Sequence, residues 1–391
     1  MRLLFVCVRY YPFPTANDVC VMRLQETLYQ NGIESDVVCE SDKDEVVIGK
    51  YGYVYCFSHP HKSNYVARKI RRFMVWPIRT PQLIDKYYNG IMHAKYEHEY
   101  SGVIAVMRPI EGALACSKSG KYILYELDSI TNNGDNLYGL KRILSHRAAI
   151  IERYLYNKAE HIMHMECHSQ YYSAKATYSK YERKVTYTDI PHLVADNGDG
   201  CSVQNSKDRI SVLYCGLLDE NRNPLYAIEL FSEISKHTPI ECLFFSKGCE
   251  NMLKKASNDH PTVIFSKGYV SQEALHVEKR KADLFLSIGN PYSGTVTSVP
   301  SKIFEYMATG KPIIHIVGGV NDSAIPYLEK YQNAVLVDTK HDLRENVQLV
   351  SSFICANRNT RIDLATLRSM FPENTPEFTV NRILEIIDNI K

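Results

Sequence analysis

The stretch Ser298-Val299-Pro300-Ser301-Lys302-Ile303-Phe304-Glu305-Tyr306-Met307-Ala308-Thr309-Gly310-Lys311-Pro312, followed by Ile313-Ile314-His315-Ile316-Val317, decides the reading of this 391-residue chain. It reads as a loop, a short helix, a tight stop and a buried strand. Pro300 suits a first helical turn, where its missing N–H has no intrahelical partner anyway. Gly310 supplies the left-handed residue that ends the helix, and Pro312 keeps it from resuming. Ile303, Phe304 and Met307 share one side, while Ser301, Lys302, Glu305 and Thr309 share the other. Free amides and positive charge at a helix start are what a phosphate needs. Glu305 is too acidic for that phosphate and suits a neighbouring diol. An ordinary αβ connection with a solvated polar face would read the same way, so the surrounding chain has to decide.

Outward from this stretch, short apolar runs alternate with helical segments. Downstream of residue 208 the strands are Ile210–Cys215, Ile240–Phe245, Val263–Phe265, Leu284–Ile288, Ile313–Val317 and Ala334–Val337. Upstream they are Leu3–Val8, Asp36–Cys39, Tyr53–Phe57, Val103–Met107, Tyr122–Tyr125 and His161–Met165. A first helix is expected from about Asp18, an N-cap type, to Asn31-Gly32, and the longest from about Leu137 to Lys158. Continuous apolar strands alternating with helices mark a doubly wound, largely parallel sheet. The polar, turn-rich run from Asp196-Asn197-Gly198 to Asp208 then separates two such halves. The expectation is an α/β protein of two Rossmann-like domains facing across a cleft. They would span 1–194 and 209–375, with a linker at 195–208. A closing helix over 376–391 is expected to pack back on the first domain.

Composition agrees with two soluble domains, because 391 residues exceed what one core usually serves. Hydrophobic residues make up 45% and charged ones 23%, which is neither a disordered nor a membrane profile. A net charge of +2 argues against a dedicated nucleic-acid binder. The 11 cysteines form no CxxC pair, and Cys7, Cys39, Cys215 and Cys242 sit in apolar runs. That usage fits free thiols in a reducing cytosol. No apolar run reaches the ~18–20 residues that span a bilayer, and Met1–Val8 reads as a first strand, not a leader. A cytoplasmic protein, reaching at most the inner face of the plasma membrane, is expected.

The second half resembles the GT-B glycosyltransferases, specifically retaining nucleotide-sugar enzymes of the family-4 type. The likeness rests on landmarks in order: Tyr214-Cys215-Gly216, Arg222-Asn223-Pro224, Phe265-Ser266-Lys267-Gly268-Tyr269-Val270, Ala282–Leu286, and Pro300–Ala308 with Gly310-Lys311-Pro312. The last is the specific signal, and the likeness covers most of 208–340. In the first half it extends to the strand pattern and Ile190-Pro191-His192-Leu193. The resemblance implies transfer of a sugar from a nucleotide diphosphate sugar, UDP-linked by preference, to a glycan or lipid-linked acceptor in surface-polysaccharide biosynthesis. It implies that Glu305 holds the ribose hydroxyls and that the amides and side chains from Ser298 through Ser301 to Lys302 hold the diphosphate. Gly216 would border that diphosphate, and Tyr269 and Val270 would bear the base. Thr297 stands where the family carries a donor-sugar glutamate, and Leu217 where it carries an arginine. Arg222 takes the place of the family's lysine and is the candidate for neutralising the leaving diphosphate. The half that carries the likeness, from residue 208 on, has no Asp-x-Asp motif or carboxylate cluster to hold Mg²⁺, so Arg222 and Lys302 with the helix start would stabilise the leaving group without metal or other cofactor.

Three further features remain. Asp128 follows the strand Tyr122–Tyr125 and could take a proton from an acceptor hydroxyl, with Glu126 the alternative at the same place. The alternative for Asp128 is a loop aspartate making an Asx-turn. His161, His164, Cys167 and His168 have near-zinc spacing, but strand alternation sends His161 and His164 to opposite faces, so no metal is expected there. The segment Arg68–Arg79 mixes four arginines and a lysine with Phe73, Met74 and Trp76. It fits either an anionic membrane surface or a solvated helix face. Of the 28 tyrosines, pairs such as Tyr87-Tyr88 could stack on sugars but fit half-buried scaffold better. Rival functions are a silent nucleotide-sugar-binding partner of another transferase and a GT-B epimerase or hydrolase.

Overall fold

A computed structural model describes residues 1–10, 15–59, 76–131, 140–194, 209–218, 222, 224–289 and 299–390. The expected linker, Thr297, Ser298 and residues 68–75 of the basic segment lie outside them. The chain forms two compact units, Met1–His192 with Glu373–Lys391, and Leu193–Pro372.

The first unit is built on an eight-stranded sheet. Its strands are β1 (Arg2–Val6), β2 (Glu34–Ser41), β3 (Glu45–Ile48), β4 (Tyr53–Ser58), β5 (Gly102–Met107), β6 (Ile123–Glu126), β7 (His161–Met165) and β8 (Val185–Thr188). Their order is β3-β4-β2-β1-β5-β6-β7-β8, parallel except for β3. The central strands are apolar on both faces because helices cover both. Edge strand β3 is not, and its Ile48 is 80% exposed. Neither β3 nor β8 has the long apolar run that announces a buried strand.

The first helix is Ala16–Gln30, with Thr15 as N-cap. Asp18 is therefore not the cap expected from the sequence but the third helical residue, reaching back in a capping box. Its buried carboxylate accepts from the Val8, Arg9 and Thr15 amides and the Thr15 hydroxyl at 2.5–3.2 Å, which ties Val8 and Arg9 to the start of the helix. The helix Pro376–Ile390 belongs to this unit and packs on Ala16–Gln30. There the Ile387 side chain lies where a Cβ on Gly102 would come within 2.8 Å.

The second unit is a six-stranded, all-parallel sheet. Its strands are β9 (Ile210–Leu217), β10 (Ile240–Lys247), β11 (Ile264–Ser266), β12 (Leu284–Ile288), β13 (Ile313–Ile316) and β14 (Ala334–Val337). The order β11-β10-β9-β12-β13-β14 is the Rossmann order, so its switch point lies between β9 and β12, where ligands bind beyond the carboxyl ends. Phe231, Phe244 and Phe285 are fully buried in this unit, each worth about 1.5–3 kcal/mol.

Candidate functional site

The stretch that decides the fold sits at that switch point. The helix is Lys302–Met307, with Ser301 at its N-cap and Pro300 just outside rather than in its first turn. Tyr306 pins it to the sheet. Its ring stacks on Phe285 of β12 at 4.3 Å and 8°, and its hydroxyl accepts the Cys215 amide of β9 at 2.9 Å. Lys302 lies one turn earlier on the same helix face, so the same pin carries it over the end of β9. Its ammonium donates to the Tyr214 hydroxyl at 2.7 Å and lies 4.1 Å from the centroid of that ring. Gly216 makes room, since a Cβ there would come 3.2 Å from the Lys302 Nζ. The glycine has φ +123°, which side-chain-bearing residues rarely adopt.

Gly310 ends the helix at φ +70°, and a Cβ there would meet the Ile362 carbonyl oxygen at 2.0 Å. Next to it, the Lys311 ammonium donates to three carbonyls, Lys279, Arg280 and Ala282, at 2.6–2.8 Å. These close the carboxyl end of helix Gln272–Lys281, where a cation complements the helix dipole. Lys279 of that helix, 6% exposed, donates to Glu305 at 2.6 Å. Lys279, Lys311 and Tyr214 were not singled out in the sequence. Their roles depend on contacts between segments far apart in the chain, Lys279 with Glu305 and Tyr214 with Lys302.

The other expected donor residues are placed separately. Tyr269 is 81% exposed after Gly268, which turns at φ +68°, and Val270 is half-buried beside it. Arg222 is half-buried in the connection from β9 to helix Leu225–Ile234. A further set lies at β13, where buried His315 meets the Asp322 carboxylate at 2.9 Å. Burial alone would raise the Asp322 pKa, but His315 and the Gly318 and Ala324 amides outweigh it and hold it below the usual carboxylate value.

In the first unit, Asp128 is half-buried at the carboxyl end of β6 and accepts from the Asn17 amide group at 3.1 Å. Glu126 drops out as an alternative base because it is wholly buried. It accepts from the Tyr172 hydroxyl at 2.8 Å and from the Tyr156 hydroxyl, and burial, reinforced by Glu152, pushes its pKa well up. His161 and His164 do point apart. His161 pairs with the Thr186 hydroxyl at 2.8 Å, whereas His164 Nδ1 lies 3.5 Å from Glu126. Among the described residues Glu126, His164 and His168 form the group whose ligand atoms could meet a metal, lying within 4.8 Å of one another. The two phenols already occupy both oxygens of the carboxylate.

Arg79, at the described end of the basic segment, is half-buried. It bridges Glu40 and Glu111, which outweigh the opposing effect of burial and raise its pKa. Tyr87 is scaffold as well, donating to Glu40 at 2.7 Å from a fully buried position. No described helix is long and apolar enough to cross a membrane.

Neither protein-family models nor curated proteins give a match to this chain. Solved structures do. Sucrose-phosphate synthase from Thermosynechococcus elongatus superposes with a TM-score of 0.69 at 14% identity, over 100% of this chain and 98% of that one. The fold is GT-B. WaaG, a glycosyltransferase involved in lipopolysaccharide biosynthesis, has the same fold with a TM-score of 0.61 at 12% identity, over 97% of this chain and 99% of its own. HepE of Anabaena, in complex with UDP, gives 0.59 at 12% identity over the full length of both. At such identities the likeness establishes the GT-B fold and leaves activity to the site.

Proposed function

We propose that this GT-B protein is a glycosyltransferase that takes a sugar from a nucleotide diphosphate sugar, UDP-linked by preference. The acceptor is a glycan or lipid-linked saccharide of a surface polysaccharide, and transfer proceeds with retention and with no metal at the diphosphate. The observation that carries this reading is the Lys302 ammonium held over Gly216 at the carboxyl end of β9. Breaking the sugar–phosphate bond leaves negative charge on the departing diphosphate, and fixed cations and amides stabilise it without reorganising. In this reading Lys302, Ser301, the chain at Ser298 and Arg222 receive the diphosphate, Glu305 receives the ribose, and Tyr269 with Val270 bears the base. Thr297 borders the sugar, and Asp128 of the first unit accepts the proton of the incoming hydroxyl. The UDP complex of HepE is the support for uridine. Cytoplasmic action at the inner face of the plasma membrane is part of the same proposal.

A thermal-shift screen across nucleotide sugars tests it. A ligand at 100 times its dissociation constant stabilises by about 2.7 kcal/mol, a readily measured rise in Tm. No shift with any nucleotide sugar or nucleoside diphosphate would remove the reading.

A further inference from the structure

Glu305 is held by a relay of two buried lysines whose first link lies outside its own helix. Lys311 clamps the Lys279, Arg280 and Ala282 carbonyls at 2.6–2.8 Å. The clamp fixes the last turn of helix Gln272–Lys281 in place, and with it the stem of Lys279. Lys279 then reaches Glu305 with its Nζ 2.6 Å from Oε2. The two lysines are only 6% and 8% exposed, whereas the Glu305 side chain keeps 27% of its surface open. The carboxylate is thus gripped from the protein side and presented outward on the other.

We infer that Lys279, anchored by Lys311, is a positioning residue that sets the orientation of Glu305 and thereby the selectivity of the site for ribonucleotides over 2′-deoxyribonucleotides. The inference rests on the donor-site reading above. The argument is geometric. A glutamate has three side-chain torsions and loses much rotamer freedom when held. A carboxylate already fixed by a charge-assisted bond meets a diol without that loss. The same ammonium offsets the negative charge of Glu305, which otherwise would stand one helical turn from the lysine assigned to the diphosphate.

The test compares UDP with 2′-deoxy-UDP by calorimetry on the full chain. Wild type should prefer UDP by about tenfold or more, as expected for a lost hydrogen bond to a charged group. Lys279→Met should bring that ratio close to one, while Lys279→Arg, which keeps a buried cation, should preserve most of it. A merely structural role for Lys279 would weaken both ligands alike and leave the ratio intact, and that result overturns the inference. So does a wild type that binds both equally. Absence of UDP binding by wild type would instead strike the donor-site reading itself. Should Lys279→Met fail to fold, Lys279→Gln carries the same comparison, since it keeps a polar end group but loses the charge.

Discussion

Replacing Gly216 by alanine separates two costs that the structure places on one atom. The backbone there holds φ +123°, and an alanine forced into such a region costs about 1–3 kcal/mol of stability. The new Cβ also comes 3.2 Å from the Lys302 Nζ and 3.5 Å from its Cε. That is a few tenths of an ångström too close, and the flexible end of the lysine is the part that yields. Displacing the ammonium removes part of a charge-assisted contact worth about 1.5–3 kcal/mol, so nucleoside diphosphate affinity should fall about tenfold. A double-mutant cycle with Lys302→Met distinguishes the two effects. In that background the alanine should still lower the unfolding free energy in urea but should no longer weaken UDP binding measured by calorimetry. An undiminished binding loss in the Lys302→Met background would refute the claim that Gly216 acts by seating Lys302.

Three other changes follow from the same geometry. Gly310→Ala sets a Cβ 2.0 Å from the Ile362 carbonyl oxygen at φ +70°, so Tm should drop by several degrees, the backbone share alone being about 1–2 kcal/mol; an unchanged Tm would contradict the close approach. Asp322 has its pKa lowered in the folded chain, so its contribution is complete above about pH 4 and is lost as pH falls through the folded value. Asp322→Asn should therefore be less stable at neutral pH and show a shallower loss below pH 4 in chemical denaturation, and parallel curves would count against this. Asp128→Asn should reduce transfer to an acceptor by about 10²-fold or more with donor binding intact, whereas wild-type transfer rates would end its assignment as base.

The strand series of both units was legible because buried parallel strands leave continuous apolar runs, as Ile210–Cys215 and Ile313–Val317 do. Edge strand Glu45–Ile48 escaped for the opposite reason, having only a short, half-solvated run to show. Gly310 and the polar face of the Lys302–Met307 helix were readable from local chemistry alone. What was not readable was long-range pairing. Lys279 meets Glu305 across 26 positions, and Tyr306 finds Cys215 across 91. Such contacts are set by which strands neighbour each other in the sheet, not by the spacing of residues along the chain. Asp18 was misread as a cap because a capping box puts an acidic residue three places after the true cap, and Thr15 fills the role as well.

The most direct test of the account is nucleoside diphosphate release from its nucleotide sugar by purified wild type and by Arg222→Ala, with folding checked by circular dichroism. The account predicts turnover by the wild type and a loss of about 10²-fold or more in the variant, with an unchanged spectrum. Equal rates in the two proteins would contradict the role of Arg222, and tight donor binding without turnover in the wild type would make the chain a nucleotide-sugar-binding partner rather than an enzyme.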